Sequence, residues 1–196
     1  MIIFDIGSGN SLDSKKTIRD TIDSLEGFDA ILKAQLFTSA PPNKPLSHEL
    51  FTYAYEYAAK KGLQTTASVF DKESLEFLQQ FDTPFIKLAC RSDLYKLARG
   101  IDTPLVVSYP STAEMGKRLT ISPLCCVSMY PAKISDYLSG FSAKWLAEGI
   151  SDHTNGLELY YIFSPKIYEK HYVMQHNDTN PDAGSFALTP EDLEYL

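Results

Sequence analysis

Ser151-Asp152-His153-Thr154 and Glu169-Lys170-His171 place two of the chain's four histidines just past two consecutive strand-like runs. The runs are residues 144–150 and 166–169, short and mostly apolar, and the segment between them is long enough for a crossover helix. Such a crossover makes the two strands parallel. Adjacent parallel strands lie about 4.8 Å apart, so side chains leaving their C-terminal ends can share one ligand. His153 and His171 are the right chemical type for a divalent ion, with Asp152, Glu169 and Asp182 as acidic neighbours. Each histidine alone reads as a hydrogen-bonded loop residue. Two in equivalent positions beside acids point to a metal site, and both readings stay open at this level.

Composition sets the frame around these runs. At 196 residues with 44% hydrophobic content and no long apolar span, the chain fits one globular domain, residues 1–196, with a sizeable core. No transmembrane helix is expected. Met1 leads directly into Ile2-Ile3-Phe4 without the basic region and cleavage site of a secretory signal, so a cytoplasmic location is the expectation. Cys90, Cys125 and Cys126 are odd in number and sit in apolar runs, which argues for reduced core thiols over a disulfide framework. Cys125 and Cys126, being adjacent, would point to opposite faces of a strand. A net charge of -7 disfavours nucleic-acid binding, because no basic face is concentrated in the sequence. An anionic small molecule is still accommodated if a few lysines converge.

The rest of the chain alternates in the same way. Residues 2–6 form a first strand, and Gly7-Ser8-Gly9-Asn10-Ser11 turns it into a helix over residues 13–25 carrying Ile18, Ile22 and Leu25 at helical spacing. Gly7-Ser8-Gly9 is a weak phosphate-loop signal, since glycine-rich strand-to-helix turns are common. Residues 29–37 form the second strand, with Lys33 and Gln35 on one face. A lysine on a buried strand is costly unless paired; the alternative is an edge strand with Lys33 in water. A helix over residues 46–61 ends at Gly62. Residues 63–70 are the third strand, ending at Asp71, a suitable cap for a helix over residues 72–80. Residues 84–89 are the fourth strand and again carry an interior lysine, Lys87. Two lysines inside apolar strands suggest an anionic ligand at a shared centre. A short helix over residues 93–99, a fifth strand at 104–108, a capping box at Ser111-Thr112-Ala113-Glu114 and a sixth strand at 123–129 lead to the seventh and eighth. Thr189-Pro190-Glu191 then starts a final helix.

Eight strand-like runs with intervening connections imply a TIM-type (β/α)8 barrel, in which functional groups collect at the C-terminal ends of the strands. The chain is small for that fold, with a size nearer the lower bound of about 200 residues than the usual 250, so some outer helices are expected to be single turns or absent. An open doubly wound sheet is the competing architecture.

These residues also carry a resemblance. Lys33-Ala34-Gln35, Phe70-Asp71-Lys72-Glu73-Ser74, Ile86-Lys87-Leu88-Ala89, Leu124-Cys125-Cys126-Val127-Ser128-Met129-Tyr130-Pro131, Gly149-Ile150-Ser151-Asp152-His153-Thr154, Glu169-Lys170-His171-Tyr172, Pro181-Asp182 and Leu188-Thr189-Pro190-Glu191-Asp192-Leu193 follow one another in order. From Phe4 to Leu193 the chain resembles the sialic acid synthase (N-acetylneuraminate synthase) family, in a compact form without that family's C-terminal antifreeze-like domain.

The resemblance implies a phosphoenolpyruvate-dependent aldol condensation with an N-acylated aldose, giving a nonulosonic acid and phosphate. A divalent metal would assist, manganese first and magnesium or cobalt as alternatives. By motif, His153 and His171 would bind the metal. Lys33 and Lys87 would hold the phosphate and carboxylate of phosphoenolpyruvate, with Ser108, Ser128 and Ser151 as donors. Gln35, Tyr130 and Asp182 match positions that contact the acceptor, and Glu169 would orient His171 or a water molecule. The expected partners are phosphoenolpyruvate and the aldose, with no nucleic acid and no membrane, and a homodimer is left open.

The departures fall mostly on the acceptor side. Asp5 stands where the family has glutamate, Gly9-Asn10 where it has Asn-His, Cys90-Arg91-Ser92 where it has Ser-Gly-Glu, and Ala183 where it has histidine. An acid near the acceptor is therefore lost unless Asp93 substitutes. The family's antifreeze-like domain brings an arginine to the partner subunit's acceptor sugar, and the sequence ends at Leu196 without it. These departures leave a second expectation: a non-catalytic or impaired barrel that binds metal, phosphoenolpyruvate or sugar.

Overall fold

The computed structural model describes residues 1–115 and 122–196. Eight strands, β1 Ile2–Gly7, β2 Ala30–Leu36, β3 Gln64–Val69, β4 Ile86–Leu88, β5 Leu105–Tyr109, β6 Ser122–Cys126, β7 Gly149–Asp152 and β8 Ile167–His171, pair in sequence order and close into a ring, so the open doubly wound sheet is excluded. Every pairing is parallel, including the closure of β8 onto β1.

The period-two alternation of a strand sorts each one into an outward apolar set and an inward set. Phe4, Ile6, Leu32, Ala67, Leu88, Val107, Ile150 and Tyr168 point outward into the main core. Inside the ring, Ile3, Ile31, Phe85, Val106 and Leu124 form a separate buried cluster with Ile167 packed against it. Each fully buried aliphatic or aromatic side chain contributes about 1.5–3 kcal/mol, so this plug seals one end of the barrel. Two residues further along each strand, the inward position is polar or sulfur-bearing: Asp5, Lys33, Lys87, Ser108, Cys126 and Glu169. Layers of this kind are how a parallel barrel fills its interior, and they leave the polar layer at the C-terminal ends.

The outer layer is thin. It comprises α1 Lys15–Asp23, α2 His48–Lys60, α3 Lys72–Leu78, α4 Thr112–Met115, α5 Ile134–Gly140, α6 Ala143–Glu148 and α7 Glu158–Phe163, with 3-10 helices at Ser92–Ala98 and Pro190–Tyr195. The expected helix over residues 93–99 is thus a 3-10 segment. The final segment starts where anticipated, with a capping box between Thr189 and Asp192. α5 was not foreseen.

The largest correction concerns residues 144–150, expected as the seventh strand. Residues 143–148 form α6, with Leu146 buried and Trp145 packed on the core. The strand itself begins at Gly149. A Cβ there would lie 2.6 Å from both the Leu124 side chain and the Pro123 carbonyl, so glycine lets β7 lie against β6. The eighth strand likewise runs on to His171, two residues past its expected end. Ser151, Asp152, Glu169, Lys170 and His171 therefore belong to rigid strands, with His153 one residue beyond β7.

Candidate active site

A cavity of about 650 Å³ opens at the C-terminal ends of the strands, and all twelve expected site residues line it: Asp5, Lys33, Gln35, Lys87, Ser108, Ser128, Tyr130, Ser151, His153, Glu169, His171 and Asp182; Asp152, expected as an acidic neighbour of the histidines, instead faces away and pairs with Lys170. Lys33 is not on an edge, because the ring has none.

Lys33 and Lys87 converge as their burial requires. Lys33 Nζ lies 2.5 Å from Asp5 Oδ2 and 3.8 Å from Glu169 Oε2, while Lys87 Nζ lies 3.0 Å from Glu169 Oε1. Lys33 also donates to Ser68 Oγ, Lys87 to Ser108 Oγ, each at 2.9 Å, and Ser151 donates to Glu169 Oε1 at 2.7 Å. Burial works against ionising these groups, but Lys33 and His171 hold the Asp5 carboxyl well below the usual carboxylate range. Lys33 and Lys87 outweigh the same penalty and lower Glu169. Burial likewise opposes the charge on Lys33, yet Asp5 and Glu169 raise its pKa. The two cations and two carboxylates form a buried quartet of balanced formal charge.

Glu169 Oε1 is taken up by Lys87 and Ser151, its buried Oε2 has no hydrogen-bond partner, and Asp5 Oδ2 lies 3.6 Å from His171 Nε2. His153 Nδ1 lies 2.7 Å from the Val127 carbonyl, which can only accept, so Nδ1 carries the proton and Nε2 is the nitrogen left for a ligand. Burial, with His171 nearby, lowers the His153 pKa and favours the neutral ring. The two rings are 5.7 Å apart between centroids. A neutral imidazole tied through its other nitrogen to a carbonyl is the usual state of a metal-binding histidine. The buried Nδ1 of His171 has no hydrogen-bond partner. Among the described residues no group of three or more His, Cys, Asp or Glu side chains is gathered to hold a metal, so any metal here would rest on the two imidazoles alone among such side chains.

Gln35, Tyr130 and Asp182, expected on the acceptor side, line the cavity together. Asp182 accepts from the Ser8 amide at 3.0 Å and the Ser8 hydroxyl at 2.8 Å, so the glycine-containing loop binds the chain's own carboxylate. Gly7, at φ +85°, leaves room for it; a Cβ would lie 2.9 Å from Asp182 Oδ2. Asp93 does not replace the missing acid, since it pairs with Arg91 at 2.7 Å on the exposed rim, and Arg91 is the one that lines the cavity. Tyr130 lies over His153 at 4.2 Å and beside Phe186 at 5.1 Å.

Cys90 is not a core thiol: it is half-buried and lines the cavity with Cys126, while Cys125 faces the outer core. Sequence reading missed Ser68, Asn180 and Phe186 in the lining. Ser68 was findable, being on the same face as Thr66 in a small polar strand. Asn180 and Phe186 lie in irregular chain where no periodicity marks a face.

A closed parallel barrel with a buried lysine–carboxylate quartet and two histidines at its C-terminal mouth defines the class of protein. A family model described as the NeuB family matches residues 35–196, and the chain belongs to that family. It is 28% identical over 156 residues to the N-acetylneuraminate-9-phosphate synthase of Drosophila melanogaster, covering 67% of this chain and 41% of that protein. It is also 28% identical over 153 residues to the pseudaminic acid synthase of Helicobacter pylori (strain ATCC 700392 / 26695), covering 66% and 45%. Each match thus spans less than half of the relative. Among solved structures, the N-acetylneuraminic acid synthetase of Leptospira borgpetersenii serovar Hardjo-bovis, in complex with citrate, superposes with a TM-score of 0.79 at 22% identity, covering 99% of this chain and 80% of that one. The spore coat polysaccharide biosynthesis protein spsE of Bacillus subtilis gives 0.78 at 20%, covering 100% and 65%. These two likenesses concern the fold. Among the described residues no helix is long and apolar enough to cross a membrane.

Proposed function

We propose that this chain joins phosphoenolpyruvate to the aldehyde carbon of an N-acylated aldose: a carbon–carbon bond forms, one water molecule adds at the phosphate-bearing carbon, and inorganic phosphate leaves to give a sialic-type acid. The observation that carries the reading is the convergence of Lys33 and Lys87 on Glu169 within the cavity of a NeuB family barrel. A substrate with a phosphate and a carboxylate calls for two cation sites held in place before it arrives. Lys33 and Lys87 provide them, with Ser108, Ser128 and Ser151 as hydroxyl donors on the same cavity wall. Glu169 is both their counter-ion and the base nearest the anion, so an incoming phosphoenolpyruvate competes with it for the ammonium groups. Gln35 and Asp182, 3.4 Å apart, and the Tyr130 ring meet the acceptor.

His153 and His171 are the residues that would hold a divalent metal, manganese first. When bound, that ion supplies Lewis-acid polarisation of the acceptor carbonyl. Asp5 lies between Lys33 and His171 and holds their relative positions.

A binding-only barrel is the second reading, favoured by the Arg91–Asp93 pair on the rim, which engages Asp93, while Ser92 stands where the resemblance expects an acid. Phosphate release, measured with phosphoenolpyruvate, a manganese salt and a panel of acylated aldoses, separates the two. Release that requires both an aldose and phosphoenolpyruvate supports condensation. Binding of phosphoenolpyruvate without release under any combination overturns it in favour of the second reading.

A further inference from the structure

β7 and β8 carry a second polar cluster on the side away from the cavity. Ser151 and His153 face inward with Glu169 and His171; between them Asp152 and Lys170 face outward, and neither side chain has exposed surface. They are register partners across the two strands, with Nζ 3.1 Å from Oδ2. Asp152 Oδ2 also accepts from the Tyr168 hydroxyl at 2.6 Å. Its Oδ1 accepts from the Thr154 amide at 2.7 Å and the Thr154 hydroxyl at 2.8 Å. Lys170 Nζ donates to the Thr154 carbonyl at 2.6 Å. Amide, hydroxyl and carbonyl of Thr154 are therefore all held by this one ion pair.

The residue so anchored follows His153, whose own backbone is fixed from the other side. Its amide donates to the Tyr137 hydroxyl at 3.0 Å and its carbonyl accepts from the Ala132 amide at 2.8 Å. Stability alone is a weak reason for a buried ion pair, because desolvation offsets most of the Coulomb attraction and neutral residues of similar size commonly serve as well. Directional contacts to one turn of backbone are what an apolar pair would not provide.

We propose that Asp152 and Lys170 are positioning residues for His153: they hold the turn at Thr154 so that the imidazole keeps Nδ1–H on the Val127 carbonyl and presents Nε2 to the cavity. The inference concerns the state of one ring and does not depend on the reaction proposed above.

The test is the ring-nitrogen NMR spectrum of the full chain labelled with 15N-histidine, with His153 assigned by comparison with His153→Gln. The wild type is expected to show one protonated Nδ1 and one bare Nε2 with widely separated shifts. In the double variant Asp152→Asn with Lys170→Met, thermal unfolding should move by only a few degrees while the two His153 shifts collapse toward a common value, reporting mixed tautomers. Asp152→Glu keeps the charge but displaces the oxygens, so it should collapse the shifts as well; a purely electrostatic role would be rescued by it. Wild-type shifts in the folded double variant would overturn the proposal and leave the pair as strand packing. Should that variant not fold, Thr154→Val and Tyr168→Phe each remove one contact of Asp152. Partial collapse in either supports the proposal, and unchanged shifts in both overturn it.

Discussion

Lys33 and Lys87, on β2 and β4, share one counter-ion: Glu169 of β8 reaches the first at 3.8 Å and the second at 3.0 Å across the inside of the barrel. Removing one cation leaves a carboxylate in a buried site with less than its full compensation. Lys87→Met should therefore destabilise the fold by about 3–5 kcal/mol, the usual cost of orphaning one member of a buried pair. Urea unfolding of the variant measures it, and a loss below about 1 kcal/mol would mean that Lys33 and Ser151 suffice for Glu169.

His153 and His171 are expected to carry any divalent ion the chain binds. Replacing both with alanine should abolish manganese binding as read by the electron paramagnetic resonance signal of the free ion in a titration. Stoichiometric uptake by the doubly substituted protein would place the metal elsewhere.

The three thiols should react in a fixed order. Cys90 lines the cavity and is half-buried, with its Sγ donating to the Cys126 carbonyl at 3.9 Å; its contact with Cys126 lowers its pKa, while that same contact and burial raise Cys126. Burial also raises Cys125. Because the thiolate is the reactive form, iodoacetamide should modify Cys90 at least tenfold faster than the others by peptide mass spectrometry. Phosphoenolpyruvate should slow that labelling, since the cavity is shared. Equal labelling of Cys90 and Cys125 would contradict the assignment of Cys125 to the outer core.

Asp71 caps α3 and ties it to the end of β2. Its Oδ1 accepts from the Ser74 amide at 2.8 Å and its Oδ2 from the Thr38 amide at 2.8 Å. Partial burial would raise its pKa, but the Ser74 and Thr38 hydrogen bonds win and lower it. A carboxyl with a depressed folded pKa adds stability above its unfolded value, near 4, and loses it as pH falls through the folded value. Asp71→Ala should cost about 1–2 kcal/mol at neutral pH, with the gap to wild type narrowing below pH 4. A pH-independent difference would assign the effect to packing.

How far the sequence carried the reading differs between fold and site. Lys33 and Lys87 were legible because a charge inside an apolar, period-two run has few places to go. Residues 144–150 were misread because a seven-residue, mostly apolar stretch carries no period long enough to separate helix from strand; only Gly149, squeezed against β6, marks the true start. The partner of Glu169 was invisible for another reason. Residues on β8 and β4 meet across the inside of the ring, and no local pattern records which groups face each other over that distance. Phe186 lies beyond the last strand, where burial comes from tertiary contact alone.

Asp5 and His171 are register partners on β1 and β8, so the ring is sealed by pairing the first strand made with the last. During synthesis β1 must wait, its edge uncovered, until about 160 residues have followed it, and long-range closure of this kind is slow. Until then the nascent chain presents an open, apolar strand border of the sort that recruits neighbouring chains. A released chain ending before Ile167 would have seven strands, two unpaired borders and no His171, poised for aggregation.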